Sequence, residues 1–276
     1  MFGSESAIIY FSIASIIPVI IILFYVYKKD RFPEPPRIVF ITFALGVATI
    51  FPILMIIPLI EGFAENLNLL SEPSHFYFAF IRAALLEEIF KWLVIIYYCV
   101  KLNELNEPMD ALVYGVAASL GFAAFENFEY VTGSLQSSVE LASSVAWLRA
   151  FTAVPLHAIC GAIMGYFLIK TIFIIKNKNI NLFLSLFAPV IIHGLYDFIL
   201  MSEKVASGLI YPLLIVLVII ASFIFNKERR NQDKMFFEGQ YSKYTIGNFS
   251  VGLTILISLT LLSLGVLAMN IFSQTN

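Results

Sequence analysis

An all-α membrane protein of about eight spanning helices is the fold class this sequence predicts, on three observations. The chain is 60% hydrophobic and only 13% charged, where soluble domains run at about 45–50% and 25%. Its apolar residues gather into eight runs of spanning length. Its basic residues gather in alternate connections between those runs. A length of 276 residues could hold two soluble domains, but no stretch longer than about 20 residues is free of an apolar run. One membrane domain over 1–276 is therefore expected, with its chemistry in a core at about 76–201.

Taken in order, the runs are about 7–27, 38–60, 76–100, 109–131, 147–170, 181–201, 209–226 and 249–272. The first lacks a basic leading region and a small-residue cleavage site, so it is expected to persist as a helix. Gly115, Gly121, Gly161 and Gly165 lie within spans and would let helices approach closely, Gly161 and Gly165 in the small-x-x-x-small pattern. Pro18, Pro52 and Pro58 interrupt the early runs. Cys99 and Cys160 both fall in apolar runs and read as small buried hydrophobes rather than a disulfide. The net charge of −2 points to no particular partner, and nothing calls for nucleic acid.

Orientation follows from the basic residues. Lys28, Lys29, Arg31, Arg37, Lys101, Lys170, Lys176, Lys178, Lys227, Arg229, Arg230, Lys234 and Lys243 all fall on one side; the other side holds only Lys204. The positive-inside bias then puts both termini outside the cytoplasm. At about 1.5 Å per residue, Glu87, His157, His193 and Glu126 lie roughly 17, 15, 12 and 8 Å from the outer ends of their spans, with Arg82 and Asp197 nearer the surface. Neighbouring spans run antiparallel, so these residues can meet in one cavity between midplane and outer surface.

Ionisable groups in a bilayer interior are costly, about 2.5–3.5 kcal/mol each on insertion scales, and usually functional. Glu87, Glu88 and Lys91 stand in the middle of one span; Glu126, Arg149, His157, His193 and Asp197 stand in others. Glu87 and Lys91 are four apart and share a helix face, from which Glu88 points about 100° away. His193 and Asp197 have the same spacing, at which a carboxylate can orient an imidazole. Two acids and two histidines in a wet membrane cavity suit hydrolysis, a carboxylate deprotonating water while a histidine stabilises an oxyanion or protonates the leaving amine. The same groups could instead hold a divalent metal, with Glu126, His157 and His193 the expected set. No His-Glu-x-x-His occurs, and only His193 and Asp197 show the i, i+4 spacing of a helical metal motif, so a metal-free glutamate mechanism with no cofactor is preferred here. Bland readings sit beside these: Glu87 and Lys91 as a structural pair, Glu126 and Asn127 as a helix-end cap, Arg149 snorkelling to the interface. Asp110, after Pro108, reads as a helix-terminus residue, Glu129 as rim, and His75 as a loop residue.

At these residues the sequence resembles the PrsW family of membrane proteases, within the clan that includes CAAX prenyl endopeptidases and bacteriocin-processing proteases. The match lies in Glu87-Glu88-Ile89-Phe90-Lys91, in Phe122-Ala123-Ala124-Phe125-Glu126-Asn127, in Arg149-Ala150 with His157, and in His193-Gly194-Leu195-Tyr196-Asp197. The loop Asp30-Arg31-Phe32-Pro33-Glu34-Pro35-Pro36 is similar to the family's cytoplasmic Asp and Glu-Pro element, less closely. The resemblance implies an endopeptidase that cuts a single-span membrane protein on its extracytoplasmic side, an anti-sigma factor in the best-known members. Glu87, Glu88, Glu126, His157, His193 and Asp197 would be catalytic, with Lys91, Asn127, Arg149 and Arg82 in support.

Two other readings compete. A CAAX-type or bacteriocin-related peptidase would share the clan, but the Glu-Glu-x-x-Lys spacing and the Phe-Glu-Asn element favour the PrsW type. A transporter could use the same charges as an ion relay, and would be marked by inverted repeats or paired broken spans; no such pairing is visible.

Overall fold

The computed structural model describes residues 4–66, 75–174, 176–202, 205–235 and 246–275, and all the regular structure among them is helical. Lys204, Lys243 and most of the connection expected at 61–75 lie outside the described residues. In chain order the helices are α1 (Ser4–Lys29), α2 (Pro36–Ala48), α3 (Ile50–Asn66), a π-helix (Tyr77–Leu85) that runs into α4 (Leu86–Tyr97), α5 (Pro108–Leu135), α6 (Val139–Phe151), α7 (Ala153–Ile169), α8 (Lys178–Met201), α9 (Ile210–Met235) and α10 (Asn248–Thr275). Each of the eight expected runs is helical. Among the described residues, six stretches are long and apolar enough to cross a membrane: Ser6–Lys29, Pro36–Gly62, Pro108–Leu135, Val139–Ile174, Lys178–Met201 and Ser207–Gln232. Ser250–Val266 is a shorter apolar helix. The run at 76–100 is set apart by Arg82, Glu87, Glu88 and Lys91 in one span.

Two runs divide, each three residues before a proline, and at Pro52 the interruption expected of the early runs is a helix break. The run at 38–60 divides at Thr49, and the run at 147–170 starts earlier, at Val139, and divides at Thr152, whose backbone leaves the helical region at φ −123°, ψ −71°. A proline ring clashes with the carbonyl four residues earlier and offers no N–H to the ladder. Pro52 and Pro155 stand four residues after Ala48 and Phe151, the last residues of α2 and α6.

The central helix is α5, buried along most of its length and packed between α2 on one side and α7 on the other. Glycines set those distances. A β-carbon on Gly115 would overlap the carbonyl oxygen of Gly161, and one on Gly121 the carbonyl oxygen of Phe43. Backbones this close are the packing expected where small residues recur every four positions. At its start α5 is capped by a reciprocal box: Asp110 accepts the backbone N–H groups of Asn106 and Glu107, and Pro108 opens the first turn. That is the helix-terminus role expected of Asp110. At the periphery, Ile13 of α1, Met55 of α3, Val216 of α9 and Leu256 of α10 point outward, the apolar surface that lipid covers in a membrane protein.

The basic connections converge at one end. Arg229 donates to the Lys29 carbonyl at 2.6 Å, and Gln232 donates to both Asp30 and Glu107. The Lys227 ammonium stands 5.5 Å above the Tyr166 ring. The ends of α1, α7 and α9 and the start of α5 therefore share one side of the bundle.

Candidate active site

Glu87 and Glu88 open α4 just after the π-helix, a wider backbone form often found at functional positions. Lys91 sits one turn on and is fully buried. Its Nζ donates to Glu87 Oε2 at 3.1 Å and to Glu88 Oε1 at 2.9 Å. The expectation that only Glu87 shares the lysine's face was too narrow, because i+3 and i+4 flank one another and a long side chain spans both. The ammonium also meets His157 Nδ1 at 3.1 Å and lies 4.2 Å above the Phe122 ring.

An ammonium only donates, so His157 Nδ1 accepts and Nε2 carries the proton. That Nε2–H donates to Glu126 Oε2 at 2.8 Å. Arg149 Nη2 reaches the same oxygen at 2.8 Å, while Arg149 Nε donates to Asn127 Oδ1 at 2.7 Å. Asn127 in turn donates to the Ser15 carbonyl of α1, and the Arg149 guanidinium lies over the Tyr130 ring. Arg149 is thus a fixed member of the site rather than a snorkelling side chain. It arrives from the last turn of α6 because the chain breaks at Thr152, a junction held to α8 by the Tyr196 hydroxyl donating to Thr152 Oγ1 at 2.9 Å.

His193, on α8, faces the same centre. Its Nδ1 pairs with Glu88 Oε1 at 2.9 Å, and its Nε2 lies 3.4 Å from Asp197 Oδ2 and 3.8 Å from Glu87 Oε2. The two imidazole rings meet edge to face at 5.0 Å. Burial is graded across the cluster. The Glu88 and Lys91 side chains are fully enclosed, whereas those of Glu87, Arg149, Asp197 and Glu126 keep 11–16% of their surface. The closed floor therefore lies at Glu88 and Lys91, and the mouth at Glu87, Glu126 and Asp197.

Of the expected residues, Glu87, Glu88, Lys91, Glu126, Asn127, Arg149, His157, His193 and Asp197 come together from five helices. Arg82 does not; it pairs with Glu61 of α3 and is partly exposed. The donors close enough to share one metal ion are Glu87, Glu88, His157 and His193, whose ligand atoms lie within 4.8 Å of one another. This differs from the expected set of Glu126, His157 and His193: Glu126 stands one step out, engaged by His157 and Arg149. Phe122, Thr152 and Tyr196 were not singled out beforehand, although Phe122 and Tyr196 lie inside the quoted motifs.

Two carboxylates and two imidazoles form a nitrogen and oxygen set suited to zinc and similar divalent ions. Glu88 Oε2 is buried without a hydrogen-bond partner, an orphaned acceptor such an ion would satisfy. Glu126 on His157 Nε2 is the outer carboxylate that typically fixes a ligating imidazole. The donor types fit a divalent metal, which would have to displace the Lys91 ammonium that now bridges Glu87, Glu88 and His157 Nδ1.

The sequence profile of the PrsW family intramembrane metalloproteases matches residues 34–224. The chain is 34% identical to a protein named Protease PrsW from Oceanobacillus iheyensis over 79% of this chain and 95% of that one. It is 36% identical to the Bacillus subtilis Protease PrsW over 79% and 93%, and 35% identical to that of Clostridioides difficile over 68% and 78%. No solved structure matches the chain. With the profile running from Glu34, late in the loop after α1, through every helix that supplies the cluster, the chain belongs to the PrsW family of intramembrane metalloproteases.

Proposed function

We propose that this membrane protease hydrolyses a single-span membrane protein in the outer half of the bilayer, with both of its own termini outside the cytoplasm. An anti-sigma factor is the substrate class that the family resemblance implies. The observation that carries the reading is the graded burial of one cluster: an enclosed floor of Glu88 and Lys91 beneath a mouth of Glu87, Glu126 and Asp197.

Glu87, at the mouth, is the carboxylate positioned to take a proton from attacking water. His193 Nε2 faces Glu87 and Asp197 while Nδ1 is held by Glu88, so this nitrogen is free to pass a proton to the leaving amine. Lys91 balances the charge of both glutamates without entering the mouth. Glu126, Arg149 and Asn127 fix the ring of His157 from behind. A divalent ion held by Glu87, Glu88, His157 and His193 would supply Lewis-acid polarisation of the scissile carbonyl in place of the proton-carrying roles of Glu87 and His193, which those residues have only while they are not ligands.

Purified protein in liposomes, given a single-span substrate, tests this directly. Glu87→Gln and His193→Ala should each lower turnover by at least about 100-fold with the fold intact. Chelation should abolish cleavage, and added zinc should restore it. Near-native cleavage in both variants would remove the cluster from the mechanism. Chelator-insensitive cleavage by metal-free protein would return the reading to glutamate chemistry alone.

A further inference from the structure

A second group of acids lies at the other end of the bundle. Asp30 follows α1, Glu34 precedes α2, and Glu107 and Asp110 start α5; all four are buried, at 4%, 5%, 8% and 0% exposure. From Asp110 to Glu126 is about 24 Å along α5, so this is no part of the catalytic cluster.

The hydrogen bonds these carboxylates accept here come from neutral donors. Asp30 Oδ1 accepts from the Phe32 N–H at 2.9 Å and from Gln232 Nε2 at 2.7 Å. Gln232 also donates to Glu107 Oε1, and Tyr114 donates to Glu34 Oε2. Asp110 Oδ2 accepts two backbone N–H groups at 2.8 Å. Oδ2 of Asp30 and Oδ1 of Asp110 are buried without an N–H or O–H donor in the bonds above, and the Asp110 carboxyl meets that of Glu34, with which it can share a proton when no ion is bound. One oxygen each from Asp30, Glu107 and Asp110 lies within 4.8 Å of the other two. That is the span of two ligands on opposite sides of an ion with metal–oxygen distances of about 2.4 Å. Burial foremost, then the charges of Asp30 and Glu34, push the Glu107 carboxyl up to about 7 against the lowering effect of the Gln232 bond.

We propose that Asp30, Glu107 and Asp110 bind a hard divalent cation of the Mg²⁺, Ca²⁺ or Mn²⁺ class. An all-oxygen carboxylate set selects such ions, whereas the imidazoles of the catalytic cluster favour transition metals. The ion ties the loop after α1 to the start of α5, with Gln232 of α9 buttressing two of its ligands. It is a clamp on the helix that carries Glu126 and owes nothing to the chemistry proposed for the other cluster.

The test uses the full chain carrying Glu88→Gln and His193→Ala, which removes donors from the catalytic cluster, with Mn²⁺ as probe. One Mn²⁺ per chain should bind with a sub-millimolar dissociation constant, be displaced by Mg²⁺ or Ca²⁺, and show no imidazole-nitrogen coupling in its electron spin-echo spectrum. Adding Asp30→Asn and Glu107→Gln should weaken binding at least 10-fold. Millimolar Mg²⁺ should raise the melting temperature by about 3 °C before that change and not after it. No stoichiometric Mn²⁺ at millimolar concentration would mean that the carboxyls are held by shared protons, and would overturn the proposal. So would nitrogen coupling or undiminished binding in the amide variant. If the amide variant fails to fold, Asp110→Asn and the spectrum of the parent protein decide alone.

Discussion

Lys91 is the residue around which the catalytic cluster is organised, because it touches both glutamates and a histidine while wholly enclosed. Removing one partner of a buried charge group strands the others and costs about 3–5 kcal/mol. Lys91→Ala should therefore lower thermal stability clearly as well as activity, whereas Lys91→Arg would have to force a larger head into space closed by Phe122. A melting temperature of Lys91→Ala equal to that of the parent would contradict the compensating role. Glu126 differs in kind, since it stands outside the donor set and grips one of its members, His157, together with Arg149. Outer carboxylates on functional imidazoles are worth about 10–100-fold. Glu126→Ala should lose about that much turnover and Glu126→Gln, which keeps an acceptor for His157 Nε2–H, should recover part of it. Glu87→Gln should be the more damaging change. Equal losses in Glu126→Gln and Glu126→Ala would show that its charge, rather than its grip on the ring, is what matters.

Helix packing around α5 decides whether these side chains meet at all. At Gly161 a β-carbon would overlap the Gly115 carbonyl, and only backbone could yield. Gly161→Val is accordingly expected to cut the yield of folded, detergent-stable protein severely, while Gly133→Ala, with open space around it, should be neutral. Comparable melting curves for the two would mean that α5 and α7 are not held at this distance. The glycines were legible in the sequence because small-residue spacing has a direct packing meaning, and the eight runs were legible because hydropathy is additive along a helix. The break at Thr49 was partly legible, through Pro52 three residues later; the one at Thr152 was not drawn as a break, since hydropathy averages over it, although Pro155 was the available signal. The donor set was also hidden. A spacing rule sees ligands on one helix, such as His193 and Asp197, but Glu87, Glu88, His157 and His193 come from three. The preference for a metal-free mechanism rested on that rule, and its premise does not apply to a site assembled between helices.

Across the whole molecule, the bundle end that gathers the basic connections also holds the buried acids, and the catalytic mouth lies toward the other. Arg229, Gln232 and Lys227 of α9 reach Lys29, Asp30 and Tyr166, so residues separated by up to 202 positions share that end. Alternation of basic and non-basic connections thus has a structural counterpart, and under the proposed topology the basic end faces the cytoplasm, as the positive-inside bias favours. Reporter fusions after residues 30 and 235 should then report cytoplasm, and fusions after residues 68 and 276 should report the exterior. The arrangement makes a sharper demand on a single cysteine placed at Ser138, between α5 and α6. A membrane-impermeant thiol reagent applied to intact cells should label it, and should leave a cysteine at Arg37 unlabelled until the membrane is opened. The reverse pattern would turn the catalytic mouth toward the cytoplasm and exclude an extracytoplasmic cut, with the cluster itself untouched. Labelling of both positions in intact cells would instead put the two ends of α5 in one compartment, which a 28-residue buried helix between them forbids.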